Sequence, residues 1–169
     1  MEVFEALLKR RSCREFTSQE ISDDDIKKML EAGMSGPSAC NKRPWEFYVI
    51  KNKEIQEKLK SASRYSNFNS TLIIIVAGNR KKALTQKEND FWIQDCSSAT
   101  MNILLEATNL GIGSCWCGLF PMTTPPKRVK EILDLPEEIV PLALIHLGYP
   151  LKESEPRTQY DSKKVHFFD

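Results

Sequence analysis

Three arginines and a serine hydroxyl fall within the five residues Arg10-Arg11-Ser12-Cys13-Arg14. Guanidiniums leaving one short segment can converge on a single anion, and each charge-assisted hydrogen bond to a phosphate contributes roughly 1.5–3 kcal/mol. A basic run also forms simply because cations complement a helix dipole on a solvated face. Further along, Gly36-Pro37-Ser38-Ala39-Cys40-Asn41 runs into Lys42-Arg43-Pro44-Trp45. Pro37 fixes a backbone angle while Ser38 and Asn41 supply hydrogen-bonding groups, so this turn can hold a flat heteroaromatic ring. An ordinary helix-to-strand loop has a similar composition. Taken together, a phosphate-seeking segment and a ring-holding turn suggest a mononucleotide site.

Other reactive side chains carry less. Cys115 and Cys117 share one face of a strand, but no further His or Cys cluster completes a coordination shell, so no metal site is assigned. They read as small structural thiols. His146 lies inside an apolar strand and reads as a satisfied core histidine, and His166 lies in the tail. Trp45, Trp92 and Trp116 read as core or interface packing, because no basic stripe accompanies them to make a platform for bases. No catalytic triad is assigned.

The elements that must position these residues follow from periodicity. Val3, Phe4, Leu7 and Leu8 recur at helical spacing and give way to Lys9, Arg10 and Arg11, so a first helix stops where the arginines begin. Ser22 followed by Asp23, Asp24 and Asp25 predicts a capped helix with Ile26, Met29 and Leu30 as its buried stripe, ended by Gly33 and Gly36-Pro37. Trp45–Ile50 and Thr71–Val76 are aromatic and β-branched, as in two strands of one sheet, with a Lys- and Glu-rich helix over residues 53–62 between them. Residues 81–90 read as an exposed loop or frayed turn. A long helix is expected over 91–110 on Ile93, Met101, Leu104, Leu105 and Thr108, stopped by Gly111 and Gly113. A short strand at 114–117, a helix at 125–133 and a buried strand at 139–147 complete the reading, before Gly148-Tyr149-Pro150 breaks the last strand. The polar final residues carry Val165, Phe167 and Phe168, which need a surface to cover, and a partner subunit is one.

With 169 residues and 41% hydrophobic content, one domain spanning 1–169 is expected to fold without disulfide or metal support. Lys and Arg total 24 against 23 acidic residues, so the net charge of +1 provides no field for nucleic acid or an anionic membrane. The beginning lacks a basic segment leading into an apolar one, and the longest apolar run, residues 72–77, is too short to span a bilayer. Five cysteines, an odd count without paired spacing, read as reduced thiols. A soluble cytoplasmic protein is the expectation.

Four segments, in order, resemble the FMN-dependent nitroreductase family. They are Arg10-Arg11-Ser12-x-Arg14-x-Phe16, Pro37-Ser38-Ala39-x-Asn41-x-x-Pro44-Trp45-x-Phe47, Gly111-Ile112-Gly113-Ser114-Cys115-Trp116 and Gly148-Tyr149-Pro150. The resemblance runs from Phe4 to Arg157. It implies an α+β fold with a central, mainly antiparallel sheet flanked by helices, and an intertwined homodimer whose C-terminal arm, residues 150–169, packs on the partner. Two FMN molecules would lie at the interface, each held by both chains. On that resemblance Arg10, Arg11 and Ser12 meet the phosphate and ribityl chain, and Arg14 lies toward the pyrimidine edge as a stabiliser of reduced flavin. Pro37, Ser38, Ala39 and Asn41 come from the other subunit, the backbone of Cys117, Gly118 and Leu119 faces the ring, and Arg157 returns to the phosphate. The implied activity is ping-pong transfer of hydride from NADH or NADPH, through flavin N5, to a nitroaromatic, quinone or similar electron-poor small molecule. Relatives with the same cofactor reduce enones or remove halogens, and a non-catalytic flavin-binding or sensing protein is a further alternative. Two features depart from the family pattern or escape it. Arg43 stands where many relatives have Gln before Pro-Trp. The loop Arg64-Tyr65-Ser66-Asn67-Phe68-Asn69 is expected near the flavin without an assigned residue.

Overall fold

The computed structural model describes residues 1–86 and 89–168. In chain order its elements are α1 (Val3–Lys9), α2 (Asp23–Met34), β1 (Trp45–Ile50), α3 (Lys53–Lys60), β2 (Leu72–Asn79), β3 (Thr85–Gln86), β4 (Asn89–Asp90), α4 (Phe91–Asn109), β5 (Gly113–Gly118), α5 (Thr124–Leu133) and β6 (Ile139–Gly148). As expected, α1 stops at the arginines, where the Arg10 N–H closes the helix on the Ala6 carbonyl at 2.9 Å. Its apolar positions Val3, Phe4 and Leu7 point outward, and only Ala6 of this helix is buried.

At the start of α2, Ser22 Oγ accepts from the Asp25 N–H at 3.1 Å and donates to its carboxylate at 2.8 Å, which satisfies an otherwise orphaned amide. Gly33 does not end this helix. It lies within it and faces α4, where an added Cβ would come 2.9 Å from Ile103 Cγ1, so glycine is what lets the two helices approach.

The sheet order is β1-β2-β6-β5, and every neighbouring pair is antiparallel. Leu72 to Gly78 of β2 are buried because both faces of the sheet are covered. Leu72, Ile74 and Val76 pack with α2 and α4, while Ile73 and Ile75 pack with Leu59 of α3 and Val129 of α5. This is the expected α+β architecture, with helices on both sides of an antiparallel sheet.

Two expectations need correction. Residues 81–90 include a short antiparallel ribbon of β3 and β4 rather than only loop or frayed turn, and Lys87 and Glu88 of that reading lie outside the described residues. In α4 the buried stripe is Trp92, Cys96, Ala99, Ile103, Leu104 and Ala107, so of the apolar positions expected to mark it only Leu104 is fully buried. The helix packs against α2 and the sheet at once, and its small residues permit the closer approach.

Candidate cofactor site

Beyond Arg10 the chain runs beside β5. Ser12 forms a parallel bridge with Ser114, and the Cys13 N–H donates to the Ser114 carbonyl at 2.8 Å. It then crosses the sheet over two glycines, since a Cβ on Gly113 would meet Cys13 Sγ, and one on Gly148 would meet Phe16 Cδ1, each at 2.9 Å. Asn69 fixes the crossing by bonding both backbone polar groups of Phe16, at 3.0 and 2.8 Å.

This path gathers guanidiniums. Arg11 donates to the carbonyls of Leu8, Arg10 and Glu155, at 3.1, 2.9 and 2.6 Å. The Arg157 N–H bonds the Leu8 carbonyl at 3.2 Å, which returns the C-terminal segment to the same place. Burial, and then the charges of Arg157 and Arg10, lower the Arg11 pKa. Among the described residues no carboxylate pairs with Arg10, Arg11 or Arg157. Like charges held together without a counter-charge favour an anion.

Arg14, with Nη1 3.4 Å from the Ser12 carbonyl, lines a cleft of about 680 Å³. Cys115, Trp116, Cys117 and Gly118 of β5 form one wall. Arg64, Tyr65, Asn67 and Phe68 form another, which gives the unassigned loop a definite place. Nothing would meet a Cβ on Gly118 within 4 Å, so the strand lies open there. Leu119 does not line the cleft, because its side chain is in the core and its N–H bonds the Leu142 carbonyl at 2.9 Å.

The loop wall is pinned to the sheet. Ser66 Oγ donates to the Lys60 and Ser63 carbonyls at 3.0 and 2.9 Å, and Cys117 Sγ lies 3.3 Å from the Tyr65 carbonyl oxygen. Ser70 Oγ meets His146 Nδ1 at 2.7 Å, and the Phe68 ring stands edge-on to the imidazole. His146 is therefore satisfied at Nδ1 only, since Nε2 is buried without a partner. Burial lowers its pKa to about 4. All five thiols are unpaired. The neighbouring Cys117 thiol, and then the charges of Arg14 and Arg10, lower the Cys115 pKa against its burial, and the Cys115 thiol together with burial raises that of Cys117.

The second cluster is a separate construction. After Pro37 and Ser38, a single 3-10 turn spans Ala39–Asn41, and the Ala39 N–H donates to Asp95 Oδ1 at 2.8 Å. Cys40, Asn41 and Arg43 have φ of 49°, 53° and 47°, left-handed backbone that costs on the order of 1 kcal/mol or more for a non-glycine residue. Asn tolerates it and Cys and Arg do so poorly, so the surroundings must hold the turn. Asp95 does part of this from within the fold, with 4% of its surface exposed and Oδ2 lacking a partner. Sequence reasoning missed Asp95. The available signal was an acid on the buried stripe of α4, which holds just one other, Glu106. None of Pro37, Ser38, Ala39 and Asn41 lines the cleft beside Arg14, so one chain does not close the two clusters around a single cavity. Among the described residues no group of His, Cys, Asp and Glu could hold a metal ion, and no helix is long and apolar enough to cross a membrane.

These features fit FMN. Its phosphate dianion suits the unneutralised guanidiniums, and its flat ring system suits a cleft with a cation at one end and exposed aromatic surface at the rim.

The antiparallel sheet with its helical layers is the nitroreductase fold. The chain belongs to the nitroreductase family, whose sequence profile matches residues 7–71 and 63–149. A protein of Archaeoglobus fulgidus provisionally named NADH dehydrogenase/NAD(P)H nitroreductase is 38% identical over 170 residues, covering 98% of this chain and 97% of its own. A Bacteroides thetaiotaomicron structure of the same provisional name superposes with a TM-score of 0.91 at 33% identity, covering 98% of this chain and 96% of its own. The FMN-dependent nitroreductase of Clostridium difficile has a TM-score of 0.88 at 30% identity, covering 98% and 99%.

Proposed function

We propose that the protein is an FMN-dependent oxidoreductase that takes reducing equivalents from NADH or NADPH and delivers them to a nitroaromatic, a quinone or a similarly electron-poor small molecule. The observation that carries this reading is the gathering of Arg10, Arg11 and Arg157, without a carboxylate partner among the described residues, beside the Arg14 cleft. The names of the relatives support the donor and the cofactor. When bound, FMN supplies the two-electron chemistry that no side chain here can perform.

In this reading Arg10, Arg11, Ser12 and Arg157 hold the phosphate and ribityl chain. Arg14 offsets the negative charge that accumulates at the pyrimidine edge on reduction. Cys117 and Gly118 carry the backbone against the ring, while Leu119 supports that strand from the core. Pro37, Ser38, Ala39 and Asn41 reach a cofactor on a second copy of the chain, which is supported by their absence from the cleft of their own chain. Each chain is one FMN-binding domain whose arm, residues 150–169, packs on its partner. The unpaired thiols support a reducing, cytoplasmic setting.

Donor and acceptor sharing one open cleft would give ping-pong kinetics. Anaerobic mixing of the yellow protein with NADH or NADPH should bleach the flavin band on a catalytic timescale, and a nitroaromatic or quinone should restore it. A bound flavin that stays oxidised with both donors would leave a flavin-binding protein and remove the enzyme.

A further inference from the structure

One cation of the Arg14 cleft has no task in holding FMN. Arg64 stands on the loop wall, with its Cζ 5.0 Å from the centroid of the Tyr65 ring, a cation–π contact. Both residues are exposed, so the ring steadies the arginine at the cleft without enclosing it. Stacking engages the face of a guanidinium and leaves the N–H groups of its planar edge free for a carboxylate. Among the described residues no Asp or Glu lines the cleft, and no carboxylate pairs with Arg64. Tyr65 and Trp116 add exposed aromatic surface to the same space.

We infer that Arg64 is a specificity-determining residue, which selects electron-poor aromatic acceptors bearing a negative charge, such as a ring carboxylate, over uncharged ones of the same shape. This rests on the flavin reading above and narrows its class of acceptor. An aromatic acid carries one anion on a flat ring, which matches one free guanidinium beside aromatic surface. The nicotinamide donors carry two or more phosphate charges on a long flexible chain, which a single free cation matches poorly. A cleft with cations and no acid also draws anions in from a distance, an attraction that salt screens.

The test uses holoenzyme at saturating FMN, with para-nitrobenzoate and its methyl ester as acceptors, for the wild type, Arg64→Ala and Arg64→Glu. The two acceptors differ in intrinsic reactivity, so the quantity read is the ratio of their kcat/KM values, acid over ester, in which the flavin content and overall activity of a variant cancel. That ratio should fall about five- to tenfold in Arg64→Ala, chiefly through KM for the acid, and further in Arg64→Glu. In the wild type it should fall as salt is raised. A ratio that neither substitution changes would overturn the role of Arg64. Single-turnover mixing separates the two half-reactions: a substitution that slows only reduction by NADH or NADPH would assign Arg64 to the donor and overturn the inference as well. A wild-type protein whose reduced flavin no nitroaromatic or quinone reoxidises would instead remove the acceptor reading, and this inference with it.

Discussion

At the residue scale, Arg10 and Arg14 occupy different surroundings that their closeness in sequence conceals. Arg10 joins Arg11 and Arg157, whereas Arg14 faces the cleft with β5 and the 63–68 loop. Removing either should cost one charge-assisted bond, roughly 1.5–3 kcal/mol, or about tenfold or more in FMN affinity. A comparison of FMN with riboflavin, which lacks the phosphate, separates them: Arg10→Ala should spare riboflavin, and Arg14→Ala should weaken riboflavin as much as FMN. Titration of flavin-free protein checks both, and variants as yellow as the wild type after gel filtration would contradict the assignment. The basic cluster was legible because arginines at a helix end are visible in the chain. Asp95 was not, since its meaning depends on which residue packs above α4, and nothing in its neighbours announces Ala39.

At the element scale, the cleft keeps its shape because the 63–70 loop is fastened to β6 at His146, between Ser70 and Phe68. Burial, reinforced by the Lys60 charge, lowers the His146 pKa from 6.5 to about 4. Below pH 6.5 the unfolded chain binds a proton that the folded chain refuses, so this contribution is complete above that value and is lost as pH falls toward 4. At pH 5 the loss should be about 2 kcal/mol relative to pH 7. Urea unfolding at the two pH values measures it, and His146→Gln, which cannot charge, should remove that part of the difference. An unaltered pH dependence in the variant would show that His146 is not the group responsible. Strand and helix identities were readable from alternation and capping, as at Ser22 and in β2. The buried face of α4 was not, because Ala99 and Ala107 carry almost no periodic signal yet decide how closely the helix packs. Gly33 misled for a related reason: glycine ends helices by its backbone freedom, and here it serves by lacking a side chain.

At the scale of the whole molecule, one chain leaves too much apolar surface uncovered. Val3, Phe4 and Leu7 line the outside of α1, and Phe167 and Phe168 are 83% and 95% exposed on an arm with no core of its own. Among the described residues, three backbone or guanidinium bonds attach that arm, through Leu151 to Glu15, Arg11 to Glu155 and Arg157 to Leu8. An exposed segment ordered by so few bonds gains too little to offset its conformational entropy, unless a second copy covers it. A site built from both copies would link cofactor and assembly, because FMN that bound only a dimer would stabilise it by mass action, by about 2.7 kcal/mol at a hundredfold excess over its Kd. Sedimentation should therefore find a dimer that tightens with FMN. A chain ending at Leu151 should sediment as a monomer and bind FMN weakly, having lost Arg157 together with the arm. A truncated monomer that retains full FMN affinity would show that each chain completes its own site, and the turn at 37–41 would then have no flavin to hold.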